Sequence, residues 1–171
     1  MKKLLLIAFI LAMTTAPAIP MTAASKPTFN PVNGHYYLVV SPPTGIDWDN
    51  AKRAAETQTY KGMKGHLATI TSACEQAFVM ALNSERDAPG ELWLGGKRSD
   101  TDHSTWQWTT GENWDFSYWN ISEPNNSNGQ ENRFGMWVGT RVGDLANGRW
   151  NDFSQFAITH FTPFGYVIEF E

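Results

Sequence analysis

Three carboxylates and two side-chain amides stand at positions that together suit a hard cation. Glu123-Pro124-Asn125 opens the set, Glu131 follows eight residues after Glu123, and Trp150-Asn151-Asp152 closes it. Every donor they offer is an oxygen on what reads as irregular backbone, and Ca²⁺ takes 6–8 oxygens in flexible geometry. No thiolate or imidazole is among them, which disfavours zinc and copper. Five such side chains supply about five or six oxygens and a backbone carbonyl adds another, so the remaining positions stay open to water or a ligand. Three carboxylates around a divalent ion leave the occupied site at about −1, which suits hydroxyl ligands better than anions. The residues alone leave open a polar loop that holds no ion.

Rival chemistries have less support. His35, His66, His103 and His160 are scattered, with no His-Glu-x-x-His and no Gly-x-Ser-x-Gly. Glu123 and Glu131 could suggest the paired carboxylates of a glycosidase. If they hold Ca²⁺, however, both stay ionised and neither can act as the acid, so the reading is a binding protein and not an enzyme. Thirteen Lys and Arg against 17 Asp and Glu give a net charge of −4, and no basic block is present, which excludes a phosphate-backbone binder. The single cysteine, Cys74, rules out an intrachain disulfide and a multi-thiolate zinc site; it reads as a small buried residue.

The elements that must position the oxygen set follow from the 171-residue sequence. Lys2 and Lys3, the apolar run Leu4 to Met13, and small residues at Ala16-Pro17-Ala18 and Thr22-Ala23-Ala24 read as a signal peptide. Cleavage after Ala18 or Ala24 stays open; the second removes 24 residues, leaves 147, and takes the charge to −6. A chain of that length buries about two-thirds of its surface and needs no disulfide staples. The expected organisation is a signal peptide at 1–24, a loose leader at 25–32, and one domain at 33–171. No other apolar stretch could span a bilayer, so the chain is expected to be secreted or periplasmic, with no membrane insertion after cleavage.

Within the domain, His35 to Val40 reads as a strand. Asp47 caps a helix whose Trp48, Ala51 and Ala55 share a face, with Asp49 and Arg53 paired four apart and Gly62 and Gly65 ending it. His66 to Ile70 is a short strand. Ser72 and Glu75 form a capping box before a second helix with Ala77, Phe78, Ala81 and Leu82 at helical spacing, closed by Asp87-Ala88-Pro89-Gly90. Leu92 to Gly96 reads as a buried strand and Gly165 to Phe170 as another. Lys97 to Asn147 is rich in Gly, Asn, Ser, Asp and Trp, with short strands around Trp106–Trp108 and Phe134–Val138. A loop region this long in a compact domain points to function, and its tryptophans argue against disorder. Trp93, Trp106 and Trp108 read as core, and Trp150 as packing beneath Asn151 and Asp152. Trp114, Tyr118 and Trp119 lie near the loop tip, where a ring could stack on a ligand.

In their order along the chain, Trp48-x-x-Ala51, Gly65-His66-Leu67-Ala68-Thr69-Ile70, Glu75-Gln76, Leu92-Trp93-Leu94-Gly95-Gly96, Glu123-Pro124-Asn125, Trp150-Asn151-Asp152 and Tyr166-Val167-Ile168-Glu169 resemble C-type lectin-like domains. The resemblance covers about residues 33–170. It implies an α+β fold of two helices with small antiparallel sheets, a long loop region, and chain ends paired as strands. It also implies a Ca²⁺ site at Glu123, Asn125, Glu131, Asn151 and Asp152. There, Glu123, Asn125, Glu131 and Asn151 would bind sugar as two neighbouring hydroxyls replace water on the ion. The acid-before-amide order resembles members that recognise mannose, fucose, glucose or N-acetylglucosamine, and the Glu123–Pro124 bond is expected cis.

The departures are specific. Two disulfides common in the family would fall at Ala55 with Ile168 and at Arg133 with Gln155, so both partners of each are replaced together, as in bacterial versions. A second calcium site lacks acids at Asn126 and Asn132, and Asp100 and Asp102 alone should fill it poorly. The implied partner is a glycan or glycosylated surface, with no nucleic acid and with oligomerisation left open. The alternative from a different class is a protein-binding adhesin-type module in which calcium is structural or absent, since the fold does not fix function.

Overall fold

The computed structural model describes residues 26–84, 90–139, 147–155 and 165–171. The expected signal peptide and the Asp87–Pro89 part of the second helix's stop lie outside these residues. Nine strands and two α-helices are described in the order β1 (Thr28–Phe29), β2 (Tyr36–Val40), α1 (Trp48–Glu56), β3 (Thr59–Tyr60), β4 (Met63–Leu67), α2 (Ala73–Ser84), β5 (Gly90–Arg98), β6 (Trp106–Trp108), β7 (Arg133–Val138), β8 (Trp150–Phe153) and β9 (Gly165–Phe170), with one short 3-10 turn at Ser127–Gly129. Among the described residues, no helix is long and apolar enough to cross a membrane.

The strand order β1-β2-β9-β5-β7-β8 makes β9 central, with β4 also on β9 and β6 also on β5. β2 pairs antiparallel with β9, Tyr37 opposite Glu169, so the chain-end strands meet as the resemblance implies. The antiparallel pairs of the expected α+β fold are linked where β5 meets β9 in parallel at Leu92–Gly165 and Trp93–Tyr166. Alternation along these strands sorts side chains into two cores. Val167, Leu92 and Leu94 join Tyr37, Val79, Met136 and Trp150 on one side. Tyr166, Ile168, Phe170 and Trp93 join Trp48, Ala51, Ala55 and Leu67 on the other. β9 is buried along its whole length, which is why its sequence is almost continuously apolar.

Asp47 caps α1 as expected, accepting from the Asn50 amide, and Trp48, Ala51 and Ala55 are its buried face. Trp48 Nε1–H donates to the Leu94 carbonyl and Trp93 Nε1–H to that of Ile46, both at 2.8 Å, so helix and sheet exchange indole hydrogen bonds. Arg53 does not pair with Asp49; it donates to Asn50 Oδ1, while Asp49 faces Arg133 at 4.0 Å. The helix stops at Glu56 without Gly62 and Gly65, which belong to the β3–β4 hairpin that forms at once afterwards. The strand expected at 66–70 is Met63–Leu67, since Ala68 onwards leaves the ladder for the turn into α2.

Of the apolar residues at helical spacing on α2, Phe78 and Leu82 pack against the core. Glu75, Gln76, Val79 and Asn83 are buried, whereas Ala77 and Ala81 are exposed, and so is Cys74. Glu75 and Gln76 turn inward because each has partners there. Tyr37 is hydrogen-bonded to Glu75, the Thr71 amide donates to the same carboxyl group at 2.7 Å, and Gln76 links the Trp150 indole to the Gly148 carbonyl. The leader is not wholly loose, since Thr28–Phe29 pairs with Tyr36–Tyr37. At the positions of the absent disulfides, Ala55 and Ile168 are fully buried in one core. Arg133 instead lies over the Trp48 ring, 4.4 Å from its centre, and the Trp48 amide donates to the Gln155 carbonyl at 3.2 Å.

Candidate functional site

The ends of β5, β7 and β8 lie side by side, with Lys97 opposite Arg133, Arg133 opposite Phe153, and Phe134 opposite Asp152. This register brings Arg98 beside Asp152 although 54 residues separate them. Beneath them, Trp106, Trp108, Trp114, Trp119, Phe134 and Trp150 pack as one aromatic nest, with ring centres 4.7 Å apart for Trp108–Trp114 and 4.9 Å for Phe134–Trp150. Such pairs add about 0.5–1.5 kcal/mol each beyond burial. Trp150 is fully buried, its amide donates to the Tyr118 carbonyl, and its own carbonyl accepts from the Asn120 amide, both at 2.9 Å. Trp150 therefore anchors the loop to β8. Trp106 is only half-buried, and Trp114, Tyr118 and Trp119 pack into the nest as well, with Arg149 covering Tyr118 at 4.1 Å.

The Asp152 carboxylate is fully buried and organises the loop. One oxygen accepts from the Asn125 amide at 2.9 Å; the other accepts from the Asn126 amide at 3.0 Å and from Arg98 Nη2 at 2.8 Å. The Glu123–Pro124 bond is cis. Glu123 accepts from the Asn125 amide at 3.0 Å and from Asn125 Nδ2 at 2.9 Å. Glu131 accepts from the Ser127 amide at 2.6 Å, while its own amide donates to Asn126 Oδ1 and its carbonyl accepts from Arg98 Nε. Asn126 takes a left-handed φ of 49°, which points its amide at Asp152 and its side chain at Glu131.

Glu123, Asn125 and Asp152 thus form one hydrogen-bonded cluster, and Glu131 is tied to it through Arg98 and Asn126. Asn151 is the next residue on β8, opposite Gly135, and its buried Oδ1 has no hydrogen-bond partner. Partial burial, then the neighbouring Asp152 carboxylate, push Glu123 above the usual carboxylate range against the pull of Asn125. Burial also raises Glu131, opposed by the Ser127 amide and Arg98. The loop therefore crowds negative charge that a bound cation would relieve, and its donors are hard oxygens, one of them unsatisfied. Asp100 pairs with Lys97, and Asp102 accepts from the Ser104 and Thr105 amides, so both acids beside the expected weak second site are engaged in local contacts.

Arg98 is the residue that sequence reasoning missed. It bonds Asp152, Glu131 and the His103 carbonyl, and its guanidinium stacks 4.6 Å from the centre of Trp106. The one signal was an arginine ending a buried strand just ahead of an acid-rich loop.

Residues 46–159 match the family model described as the lectin C-type domain. Halomucin of Haloquadratum walsbyi is 30% identical over 113 residues, which is 58% of this chain but 1% of halomucin, so the chain spans a very small part of that relative. Lectin BRA-3 of Megabalanus rosa is 30% identical over 147 residues, covering 86% of this chain and 79% of that lectin. Among solved structures, an EPNH mutant of CEL-I superposes with a TM-score of 0.64 at 25% identity, over 80% of this chain and 89% of that one.

Proposed function

The chain belongs to the C-type lectin domain family, and from that premise we propose that it is a calcium-dependent carbohydrate-binding protein specific for vicinal hydroxyls of the mannose type. The observation that carries this reading is the loop cluster itself. Glu123 and Asn125 lie side by side on a backbone latched to Asp152, and the residue before Asp152 on β8, Asn151, carries a buried oxygen with no hydrogen-bond partner. Glu123, Asn125, Glu131, Asn151 and Asp152 would hold Ca²⁺, which would supply a Lewis-acidic seat for two sugar hydroxyls.

The protein's own part is to orient those hydroxyls. A carboxylate only accepts and an amide nitrogen only donates, so a hydroxyl seated between Glu123 and Asn125 donates to one and accepts from the other. That hydroxyl would replace the internal Asn125 Nδ2–H···Glu123 bond of 2.9 Å. Glu131 and Asn151 would frame the second hydroxyl in the same way. Mannose, fucose, glucose and N-acetylglucosamine are the expected sugars, and a glycan or glycosylated surface is the expected partner. We place the protein outside the cytoplasm, secreted or periplasmic, on the strength of the signal-like first 24 residues.

A second reading has one observation in its favour. Ile121 is 88% exposed in the turn that leads into Glu123, an apolar contact suited to a protein partner, with calcium structural or absent. Titration with mannose and with galactose, each with calcium and with chelator, separates the two. Mannose binding that requires calcium supports the lectin reading. Calcium binding with no response to any sugar supports the protein-binding module, and no calcium binding overturns the proposed site.

A further inference from the structure

Two buried acids that the loop site does not use meet where α2 packs on the β2–β9 ladder. Tyr37, opposite Glu169 on that ladder, is 1% exposed, Glu169 is 2% and Glu75 of α2 is 4%. The Tyr37 hydroxyl lies 2.7 Å from Glu169 Oε1 and is also hydrogen-bonded to Glu75 Oε1. A hydroxyl carries one hydrogen and two lone pairs, and an ionised carboxylate carries no hydrogen. Tyr37 alone therefore supplies one hydrogen for two contacts, and the second must come from one of the acids.

The remaining donors decide which acid holds it. Glu169 also accepts from His35 Nδ1 at 2.6 Å and from the Thr69 amide at 2.9 Å, so donors converge on it as on an ion. His35, raised above its ordinary value by that bond against the effect of burial, supplies the balancing charge. Glu75 Oε2 accepts from the Thr71 amide at 2.7 Å and from the Thr71 hydroxyl at 3.2 Å, which leaves Oε1, the atom against Tyr37, to carry a hydrogen. Asn33 Nδ2 donates to the Tyr37 oxygen at 2.8 Å and to Glu75 Oε1 at 3.1 Å. With a hydrogen on Oε1 the inventory closes: the Tyr37 oxygen accepts from Asn33 and Glu75 and donates to Glu169. Burial pushes Glu75 above the usual carboxylate range, against its bonds to Tyr37 and Thr71, and Glu169 adds to the rise. Burial, then Glu169, also hold Tyr37 above the usual phenol range, so the hydroxyl keeps its own hydrogen.

We propose that Glu75 keeps its proton in the folded protein at pH values where an ordinary glutamate has lost it, and that this proton latches α2 to β2 and β9. Once Glu75 ionises, two carboxylates face one hydroxyl hydrogen and one of the two contacts fails. The latch is therefore complete in acid and is lost as pH rises through the folded-state value of Glu75. The titratable groups around it are Tyr37, His35 and Glu169, with Glu171 3.5 Å from His35 Nε2 and His66 of β4 3.2 Å from Glu171 at the outer end. The same turn of α2 carries Gln76, which accepts from the Trp150 indole and donates to the Gly148 carbonyl, both at 2.9 Å. Latch and grip on β8 thus share one turn.

The test follows the Glu75 side-chain carboxyl carbon by NMR in the whole chain, in chelator. A Glu91→Gln background is used, because burial raises Glu91 as well. At about pH 5.5, where an ordinary glutamate is roughly nine-tenths ionised, this carbon should still show its protonated shift. Glu169→Gln, which frees the Tyr37 hydrogen for Glu75, should move the midpoint down towards the ordinary value. Urea unfolding gives an independent reading. The unfolding constant of the parent relative to Glu75→Gln should grow at least about tenfold between about pH 5 and about pH 8, the effect of one proton held only by the folded chain. Growth that persists with His35→Gln separates Glu75 from the imidazole. A Glu75 carbon already at its ionised shift at about pH 5.5, or a ratio that does not change with pH, overturns the proposal.

Discussion

The substitution Asp152→Asn tests whether a buried carboxylate holds the loop together before any ligand arrives. In the parent, its two oxygens accept from the Asn125 and Asn126 amides and from Arg98. The side-chain amide of the variant would keep one acceptor oxygen for these three donors and would turn an NH₂ group towards at least one of them. Hydrogen bonds to charged groups contribute about 1.5–3 kcal/mol each, and breaking a buried ion pair costs about 3–5 kcal/mol. Arg98 retains the Glu131 and His103 carbonyls and its stacking on Trp106, so the lower end applies and the expected loss is about 3 kcal/mol. Urea unfolding in chelator measures it without any contribution from bound metal, and the Tm should fall by about 10 °C. The double variant with Arg98→Met should be less destabilised than the sum of the two singles, because the orphaned cation is gone; the expected coupling exceeds about 1 kcal/mol. A loss below about 0.5 kcal/mol, within the range of an ordinary surface substitution, or strict additivity, would refute the claim that Asp152 organises this loop.

Other perturbations probe different parts of the molecule. Glu91 is 6% exposed and burial pushes it up to about 7, so between its ordinary value and 7 the folded state holds more protons than the unfolded one and stability falls as pH rises. Glu91→Gln should therefore match the parent near pH 4.5 and exceed it at pH 8 by about 3 kcal/mol, read by urea melts at both pH values. Gly96→Ala would push a Cβ into the Phe134 ring, with Cζ only 2.6 Å away, and should cost about 3 kcal/mol with a loss of tryptophan near-ultraviolet dichroism from the nest. Glu123→Gln combined with Asn125→Asp exchanges which side donates, and sugar titrations should shift preference from mannose towards galactose with calcium affinity retained.

Local rules carried much of the fold. α1 was legible because its cap and its buried stripe are both written within a few residues, and β2 and β9 because β-branched and aromatic residues fill them. α2 was legible only in part because Glu75 and Gln76 join its inward face, held there by partners that range from Thr71, four positions away, to Tyr37 and Trp150, 38 and 74 positions away. β8 offers Asn and Asp in the middle of four residues, a poor strand by propensity; pairing with β7 overrides this. At the candidate site the acid and amide residues could be chosen from their types and spacing. The mutual tie between Arg98 and Asp152 could not, because strand register, invisible to a period-two pattern, sets which distant side chains become neighbours.

The placement of β9 has a kinetic consequence. It follows the other eight strands along the chain, yet β2, β4 and β5 all lean on it. A nascent chain that has produced those eight still lacks the strip that joins them, and closing it means connecting segments as far apart as Tyr36 and Phe170. Such long-range pairing slows folding. Until residues 165–170 are available, β2 and β4 present open hydrogen-bonding edges and the apolar faces destined for two separate cores. Assembly of this molecule is therefore gated by synthesis of β9 itself, and the chain that still lacks it is the species most exposed to aggregation.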